Sequence, residues 1–196
     1  MSFSASNWSS TLEGLMAGLA MAGPDVPKFA GAVGEGSVKT LVGKSFASLD
    51  VGVGAGGEGK GIGLIVPPSI ATPIIIATST ASFGSAGFAL PLLALAVDLA
   101  MVIESLKASL SSVSILVGTG SGVIVPGTIP VTGAEWGANI TSAGVSRGFT
   151  GPSWPSFANA LGAGMAASYK LAVGALVITG PGGPSPTSGA GKGTIS

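Results

Sequence analysis

The phrase Gly118-Thr119-Gly120-Ser121-Gly122-Val123 occurs, with small changes, three times in this chain of 196 residues. The other copies are Gly57-Glu58-Gly59-Lys60-Gly61-Ile62 and Gly189-Ala190-Gly191-Lys192-Gly193-Thr194, so the shared pattern is G-x-G-[KS]-G followed by a β-branched residue. A segment with helical periodicity precedes each copy, and a phrase repeated at such spacing indicates a duplicated structural unit. The sequence therefore predicts units of about sixty to seventy residues, each an apolar helix that leads into a glycine-rich extended arm.

A second phrase is shared by two of the predicted helices. Residues 27–36 and 155–164 both read P-x-F-A-x-A-Φ-G-x-G, where Φ is Val33 or Leu161. Proline is favoured at the first helical position. Glycine inside a helix costs about 1 kcal/mol relative to alanine, so its repeated use implies that another backbone approaches closely. We expect Phe29 and Phe157 to occupy equivalent positions in two related substructures, each packed against its own glycine-lined neighbour.

The longest apolar run extends from Gly87 to Ile103 and predicts one continuous helix over residues 87–113. Apolar residues spaced alternately by three and four indicate a buried seam along that helix. The seam residues are Leu92, Leu95, Leu99, Val102, Leu106 and Val113. A membrane span over 87–103 is the alternative, because about twenty apolar residues suffice to cross a bilayer. Pro91, Asp98 and Glu104 favour a helix buried by protein, since a carboxylate is costly within a membrane.

The segments between the predicted helices are rich in Gly, Ser, Thr, Val, Ile and Pro. Residues 64–78 and 123–132 combine β-branched residues with prolines, which lack the N–H donor of a β-ladder, so they predict edge strands or extended arms. The composition of Pro181 to Ser196 predicts a C-terminal strap that pairs with a neighbouring subunit. Near the other end, the capping box Ser10-Thr11-Leu12-Glu13 predicts a short helix that stops at Gly23-Pro24.

The predicted fold class is therefore mainly α with extended arms and short strands (α+β), built as about three helix-plus-glycine-rich-arm units around a long central helix. Four segments follow from this division. They are 1–24, an N-terminal arm and short helix; 25–80, helix plus arm; 81–133, the long central helix plus arm; and 134–196, an aromatic loop, a helix and the C-terminal strap.

Composition restricts the classes of partner. Charged residues make up 8% of the chain, hydrophobic residues make up 46%, and the mean hydropathy is +0.69. A free monomer with so few charges is poorly soluble, so either other protein subunits or a membrane should cover much of the surface. The net charge is zero, which argues against nucleic acid as a partner. The chain has neither cysteine nor histidine, so it lacks disulfides, thiolate metal ligands and an imidazole base.

Three motifs with catalytic or binding associations occur in the sequence, and each lacks its required context. Residues 144–148 match the G-x-S-x-G nucleophile elbow, but Ser146 has no histidine to act as its base. Residues 52–57 match G-x-G-x-x-G, and residues 54–60 match the start of a phosphate-binding loop that should continue with Ser or Thr but continues with Gly61. We therefore predict no catalytic, cofactor-binding or metal site. Residues 134–154 carry the candidate exposed anchors Trp136, Arg147, Phe149 and Trp154, and the alternative for one or two of them is a place in the core.

These features together resemble small virion structural proteins of tailed bacteriophages and related contractile tails. The resemblance rests on the charge-poor composition, the duplicated helix segments 29–36 and 157–164, and the arms that end in G-x-G-x-G phrases. It implies a non-catalytic subunit of a tail, neck or baseplate, located in a virion, with a homo-oligomeric ring and other structural proteins as partners. A membrane-associated protein with one apolar helix at 87–103 is the alternative, and an enzyme is a distant third.

Overall fold

The computed structural model describes residues 3–53, 59–67, 90–114, 119–179 and 186–196. Two compact units emerge, each assembled from three separate stretches of chain. The helical unit takes Met1–Thr40, Pro68–Glu104 and Val131–Tyr169. The strand unit takes Leu41–Pro67, Ser105–Pro130 and Lys170–Ser196. The chain therefore contributes first to one unit and then to the other, three times over. The predicted boundary between residues 80 and 81 lies outside the described residues, and the division into four segments stays a prediction.

The described residues form five helices and six strands. The helices are α1 (Ala5–Gly18), α2 (Val26–Leu41), α3 (Leu90–Ser105), α4 (Gly133–Val145) and α5 (Ser153–Tyr169). The strands are β1 (Ser45–Val53), β2 (Gly59–Val66), β3 (Leu110–Ser114), β4 (Thr119–Ile124), β5 (Val173–Thr179) and β6 (Pro186–Ile195). In chain order, α2, α3 and α5 are each followed by two strands.

The three helices that precede the strand pairs share one sequence pattern. Pro27, Pro91 and Pro155 follow one another at intervals of 64 residues, and each lies in the first turn of its helix. The sequence had predicted two copies of this pattern. The structure adds a third in α3, where Leu93 stands two residues after the proline, in the place that phenylalanine takes in the other copies. Since three helices recur at one interval, the chain is organised as three related helix-strand-strand segments.

The duplicated phenylalanines lie in helices, as predicted. Phe29 is in α2 and Phe157 is in α5. Their rings contact each other, with centroids 6.1 Å apart. The expectation that each would pack against its own separate neighbour is therefore wrong, because the two copies pack together inside one helical unit.

Two further helices, α1 and α4, repeat one another. Ser4 caps α1 by accepting a hydrogen bond from the backbone N–H of Asn7, and Thr132 caps α4 by accepting one from Glu135. The cap at Ser4 places the start of α1 ahead of the predicted capping box at 10–13, and the helix ends at Gly18 instead of Gly23-Pro24. Ser10 lies inside α1, and the N-cap of this helix is Ser4.

The predicted helix over 87–113 is wrong in extent. Residues 87–89 lie outside the described residues, α3 ends at Ser105, and β3 begins at Leu110. The predicted seam also does not form the buried face: Leu92, Leu95 and Leu106 are more than one-third exposed. The buried positions of α3 include Ala94, Ala96, Val97, Ala100 and Met101. Within the described residues, no helix has the length and apolar character that a membrane crossing needs.

The six strands form a closed antiparallel barrel in the order β1-β4-β5-β2-β3-β6. The first strand of each segment pairs with the second strands of the two other segments. Thus β1 pairs with β4 and β6, β3 pairs with β2 and β6, and β5 pairs with β4 and β2. Exchanging the three segments in turn leaves this pattern unchanged, so the barrel has the connectivity of a threefold repeat. The predicted fold class, a mainly α chain of arms around a central helix, is therefore wrong.

The described residues of the three glycine-rich phrases, 59–62, 119–123 and 189–194, fall in the second strand of each segment, which are β2, β4 and β6. A closed barrel of six strands has a narrow interior, and alternate glycines leave that interior free for neighbouring side chains and backbone. A Cβ atom on Gly193 would collide with the ring of Phe46, and one on Gly63 would lie 2.7 Å from Leu176. The glycines therefore belong to paired strands. The prediction of edge strands or arms is wrong for residues 64–66 and 123–124, which lie in β2 and β4 and have a neighbouring strand on each side. Residues 68–78 of that prediction lie outside the described residues.

The C-terminal strap was predicted to pair with another subunit, and the structure corrects this. Residues 186–195 form β6, which pairs with β1 and β3 of the same chain along its length. Residues 180–185 lie outside the described residues. The backbone N–H and C=O groups of β6 therefore find their hydrogen-bond partners within the barrel of the same chain.

Candidate interaction surface on the barrel

The outer wall formed by β1, β4, β5 and β2 carries apolar side chains that face solvent. Alternate residues of a strand point to opposite faces, and in β5 the exposed and buried residues alternate without a break. Six large aliphatic side chains on these four neighbouring strands are more than half exposed. They are Leu49 (57%), Val51 (64%), Ile62 (74%), Val123 (55%), Val173 (52%) and Val177 (58%). We call these six residues, with the exposed Ser121 and Ala175 between them, the apolar wall.

The strand register brings these residues into two rows across the barrel. In one row Leu49 lies opposite Val123, which lies opposite Ala175. In the next row Val51 lies opposite Ser121, Ser121 opposite Val177, and Val177 opposite Ile62. Directly opposite side chains in an antiparallel sheet are within about 5 Å of one another. The apolar wall is therefore one continuous surface.

The wall formed by β3 and β6 has the opposite character. Among the side chains described on these two strands, the exposed outward ones are Ser111, Lys192 and Thr194. The hydroxyl oxygens of Ser111 and Thr194 lie 3.2 Å apart and share a hydrogen bond across the two strands. We call these three residues the polar wall. In its described side chains, the barrel thus has an apolar outer surface on four neighbouring strands and a polar one on the other two.

The size of the apolar wall distinguishes it from ordinary exposed side chains. The six side chains together expose an apolar area on the order of a few hundred Å², the range of the largest patch on a typical monomer, which is often functional. Scattered exposed valines need no explanation, but a contiguous patch is a candidate for an interaction surface. Among its described side chains there is no charged group.

The interior of the barrel contains two buried polar side chains on β1, Ser48 and Asp50. The Asp50 carboxylate lies against Gly122 of β4, where a Cβ atom would collide with its Oδ1. Gly122 therefore provides the room for Asp50. Within the described ranges, no group of three or more acidic side chains comes together in a way that could hold a metal ion.

The nucleophile-elbow match at 144–148 lies in a different setting from the one the motif requires. The motif needs a sharp turn from a strand into a helix, whereas α4 ends at Val145 and Ser146 begins the turn that follows it. The Ser146 hydroxyl donates a hydrogen bond to the backbone carbonyl of Ala143, 2.8 Å away. Of the two glycine-loop matches, residues 54–58 lie outside the described residues, while Gly59 and Lys60 belong to β2.

Two of the four predicted aromatic-loop anchors are buried. Trp136 is fully buried in α4 and Trp154 is 8% exposed in α5, so both belong to the helical core. Phe149 stacks on Trp154 with ring centroids 4.5 Å apart. Arg147 forms an ion pair with Glu35 of α2, at 2.8 Å between Nη1 and Oε2. The two tryptophans are therefore not exposed anchors but match the alternative in which one or two of the four residues cap the core.

Sequence reasoning did not find the apolar wall. A signal for it was present in β1, where Leu49, Val51 and Val53 alternate with polar or small residues. In β5 no such signal exists, because the inward residues Leu176 and Ile178 are as apolar as the outward Val177. The pattern fits a strand with one face toward a core. It does not reveal which alternating set faces inward. Comparison with protein-family models, with characterised proteins and with solved structures found no match to this chain.

Proposed function

We propose that this protein is a structural subunit of a larger protein assembly, and that the apolar wall of its barrel is covered by other protein in that assembly. The observation that carries the proposal is the contiguous apolar surface on β1, β4, β5 and β2. Such a patch costs free energy as long as water covers it, and burial recovers about 25 cal/mol per Å².

The composition supports the same conclusion. With 8% charged residues, the chain has few of the surface charges that keep a free monomer soluble. Helix α3 adds a second apolar surface, because Leu92, Leu95 and Ile103 are each more than one-third exposed. The corresponding positions 64 residues earlier are Lys28, Gly31 and Lys39, so the same face of α2 carries charge. The middle segment alone has this apolar outer face.

The kind of assembly follows from the resemblance to virion structural proteins. We propose a tail, neck or baseplate of a bacteriophage or a related contractile tail, with virion localisation and a non-catalytic role. Its partners would be copies of this chain and neighbouring structural proteins. The alternative of membrane association would place lipid on the same apolar surfaces.

Fractionation of the producing cells or particles tests the proposal. The untagged chain, followed by mass spectrometry, is expected to sediment with an assembly much larger than its own 18.7 kDa and to stay there after mild detergent. Recovery of the chain as a free monomer would contradict the proposal. Flotation of the chain with membranes on a density gradient, with release by detergent, would favour the alternative.

A further inference from the structure

We infer that helix α1 (Ala5–Gly18) is a detachable arm, which leaves its place in the helical unit while the other helices of that unit stay packed. The inference does not depend on the proposed function. It follows from a comparison of α1 with α4, the helix that repeats it 128 residues later. At matched positions the two helices differ in how firmly they are held, and each difference favours the opening of α1.

Three side-chain links tie α4 to the rest of the helical unit. They are the hydrogen bond from Trp136 to Ser37, the ion pair of Arg147 with Glu35, and the hydrogen bond from Trp154 to the carbonyl of Thr141. The residues that stand 128 positions before the three donors are Trp8, Leu19 and Val26. Leucine and valine side chains have no donor, and the buried indole N–H of Trp8 has no partner within the described residues. Three links of α4 are therefore missing at the matched positions of α1.

A fourth link is kept, and it defines where α1 lies when closed. Thr11 donates a hydrogen bond to the carboxylate of Glu104 in α3, as the matched Asn139 donates one to Thr40 in α2. Three large apolar side chains, spaced four residues apart on one face of α1, are buried. They are Trp8, Leu12 and Met16. The closed position of the arm is therefore specific, so an arm that opens returns to the same place.

The turn that follows α1 is strained, and the turn that follows α4 is not. Ala20 has a φ of 58°, in the left-handed region, and the matched residue Gly148 has a φ of 93°. A Cβ atom is sterically unfavourable in this region, whereas glycine adopts it freely. Because the strain at Ala20 is relieved when the turn unwinds, it favours the open form of the arm.

The sequence of α1 also stabilises the helix less than that of α4 does. A Cβ atom on Gly14 or Gly18 would meet nothing within 4 Å, so no close packing requires glycine at either position. The residue that matches Gly14 in α4 is Ser142, and serine is a better helix former than glycine. In α4 the buried Gly144 is required, because a Cβ atom there would collide with the ring of Trp154.

The opening of α1 exposes both the helix and the site that it covers. In the closed form α1 lies directly on α2, where a Cβ atom on Gly34 would be 2.8 Å from the Cβ of Trp8. When α1 leaves, this face of α2 becomes accessible, water reaches the buried carboxylate of Glu104, and the apolar face of α1 is exposed. The arm is thus a conformational device that changes a closed helical unit into one with an exposed apolar helix.

Thiol labelling of two matched variants tests the inference. The chain has no cysteine, so Leu12→Cys in α1 and Ile140→Cys in α4 each introduce one thiol at a fully buried position. We expect a water-soluble maleimide to label Leu12→Cys at least about tenfold faster than Ile140→Cys in the native full-length chain, because α1 opens by itself. Low concentrations of urea should accelerate the labelling of Ile140→Cys more strongly, since global unfolding exposes more surface than the opening of one helix.

Two further measurements do not depend on the core truncations. Hydrogen exchange of the wild-type chain, followed by mass spectrometry, should show amide protection at least about tenfold lower in α1 than in α4. Ala20→Gly, added to Leu12→Cys, should relieve the strained turn and slow labelling by about threefold to tenfold. The inference is overturned if α1 and α4 are equally protected in the wild type, if the two thiols react at the same rate in chains that are folded by circular dichroism, or if Ala20→Gly leaves the labelling rate unchanged.

Discussion

The indole N–H of Trp136 donates a hydrogen bond of 3.1 Å to the hydroxyl of Ser37, and both side chains are fully buried. Trp8 stands 128 residues earlier in the related helix α1 and is also fully buried, yet its indole N–H has no partner within the described residues. The residue that corresponds to Ser37 in the middle segment, 64 residues later, is Met101, which carries a thioether instead of a hydroxyl.

This pair gives a matched test of the hydrogen bond. Trp136→Phe and Trp8→Phe remove the same atoms from two buried sites, but only the first breaks a hydrogen bond. We expect Trp136→Phe to lower the free energy of unfolding by about 1–3 kcal/mol more than Trp8→Phe, because a buried hydroxyl loses its partner. Urea unfolding of both variants measures this. Equal losses would show that the Ser37 contact contributes nothing.

Close helix contact gives a second prediction. A Cβ atom on Gly162 of α5 would lie 2.7 Å from the Cα of Gly137 and 2.9 Å from the carbonyl oxygen of Gly133, both in α4. Backbone atoms cannot move aside, so Gly162→Ala should destabilise the protein by about 1–3 kcal/mol despite the higher helix propensity of alanine. Gly14→Ala in α1 is the control, since nothing lies within 4 Å of its Cβ position. It should stabilise by up to about 1 kcal/mol. Thermal unfolding that ranks the two variants the other way would refute the close contact.

The helical unit contains an ionic cluster that predicts a pH dependence. Hydrogen bonds from Lys39 and then from Arg147 lower the pKa of the Glu35 carboxyl below its usual value of 4.5, while burial opposes them. A lowered folded-state pKa means that the carboxylate stabilises the fold above its unfolded pKa, and that this contribution is lost as the pH falls through the folded pKa.

Glu35→Gln should therefore be less stable than wild type at neutral pH, by about 1 kcal/mol or less for a partly exposed cluster. The difference should vanish in acid below the folded pKa. Asp25→Asn is the control, since its pair with Lys28 is more exposed. Chemical unfolding at a series of pH values measures both. A constant Glu35→Gln deficit at every pH would mean that the carboxylate charge is irrelevant.

The sequence predicted several elements because their signals are local. The helix starts at Pro27 and Pro155, and the recurrence of G-x-G phrases, follow from the residues themselves. The third helix copy was missed because Leu93, Asp98 and Ala100 replace the phenylalanine and glycines of the phrase, although Pro91 keeps its position.

The barrel could not be predicted because its pairing is not local. Each first strand pairs with strands from the other two segments, and nothing in β1 alone specifies β4 and β6 as its partners. Alternating glycine also has low strand propensity, so the segment that contains Gly189, Gly191 and Gly193 was interpreted as a strap that pairs with a neighbouring subunit. In the closed barrel there is no room for a side chain at these inward positions, as the collision of a Cβ atom on Gly193 with Phe46 shows. This steric requirement outweighs the low strand propensity of glycine. The apolar wall could not be predicted either, because the sequence of a strand does not show which of its two faces points into the barrel.

The most direct test of the central claim is the reactivity of a single thiol on each wall in the assembled state. Val123→Cys places a thiol in the apolar wall and Ser111→Cys places one in the polar wall, in a chain that has no other cysteine. If other protein covers the apolar wall, a water-soluble maleimide should label Val123→Cys in the native assembly at least about tenfold more slowly than after dissociation, the change expected when an opening of about 1.4 kcal/mol or more must precede reaction. Ser111→Cys should react at one rate in both states. Equal and rapid labelling of Val123→Cys before and after dissociation would contradict the account.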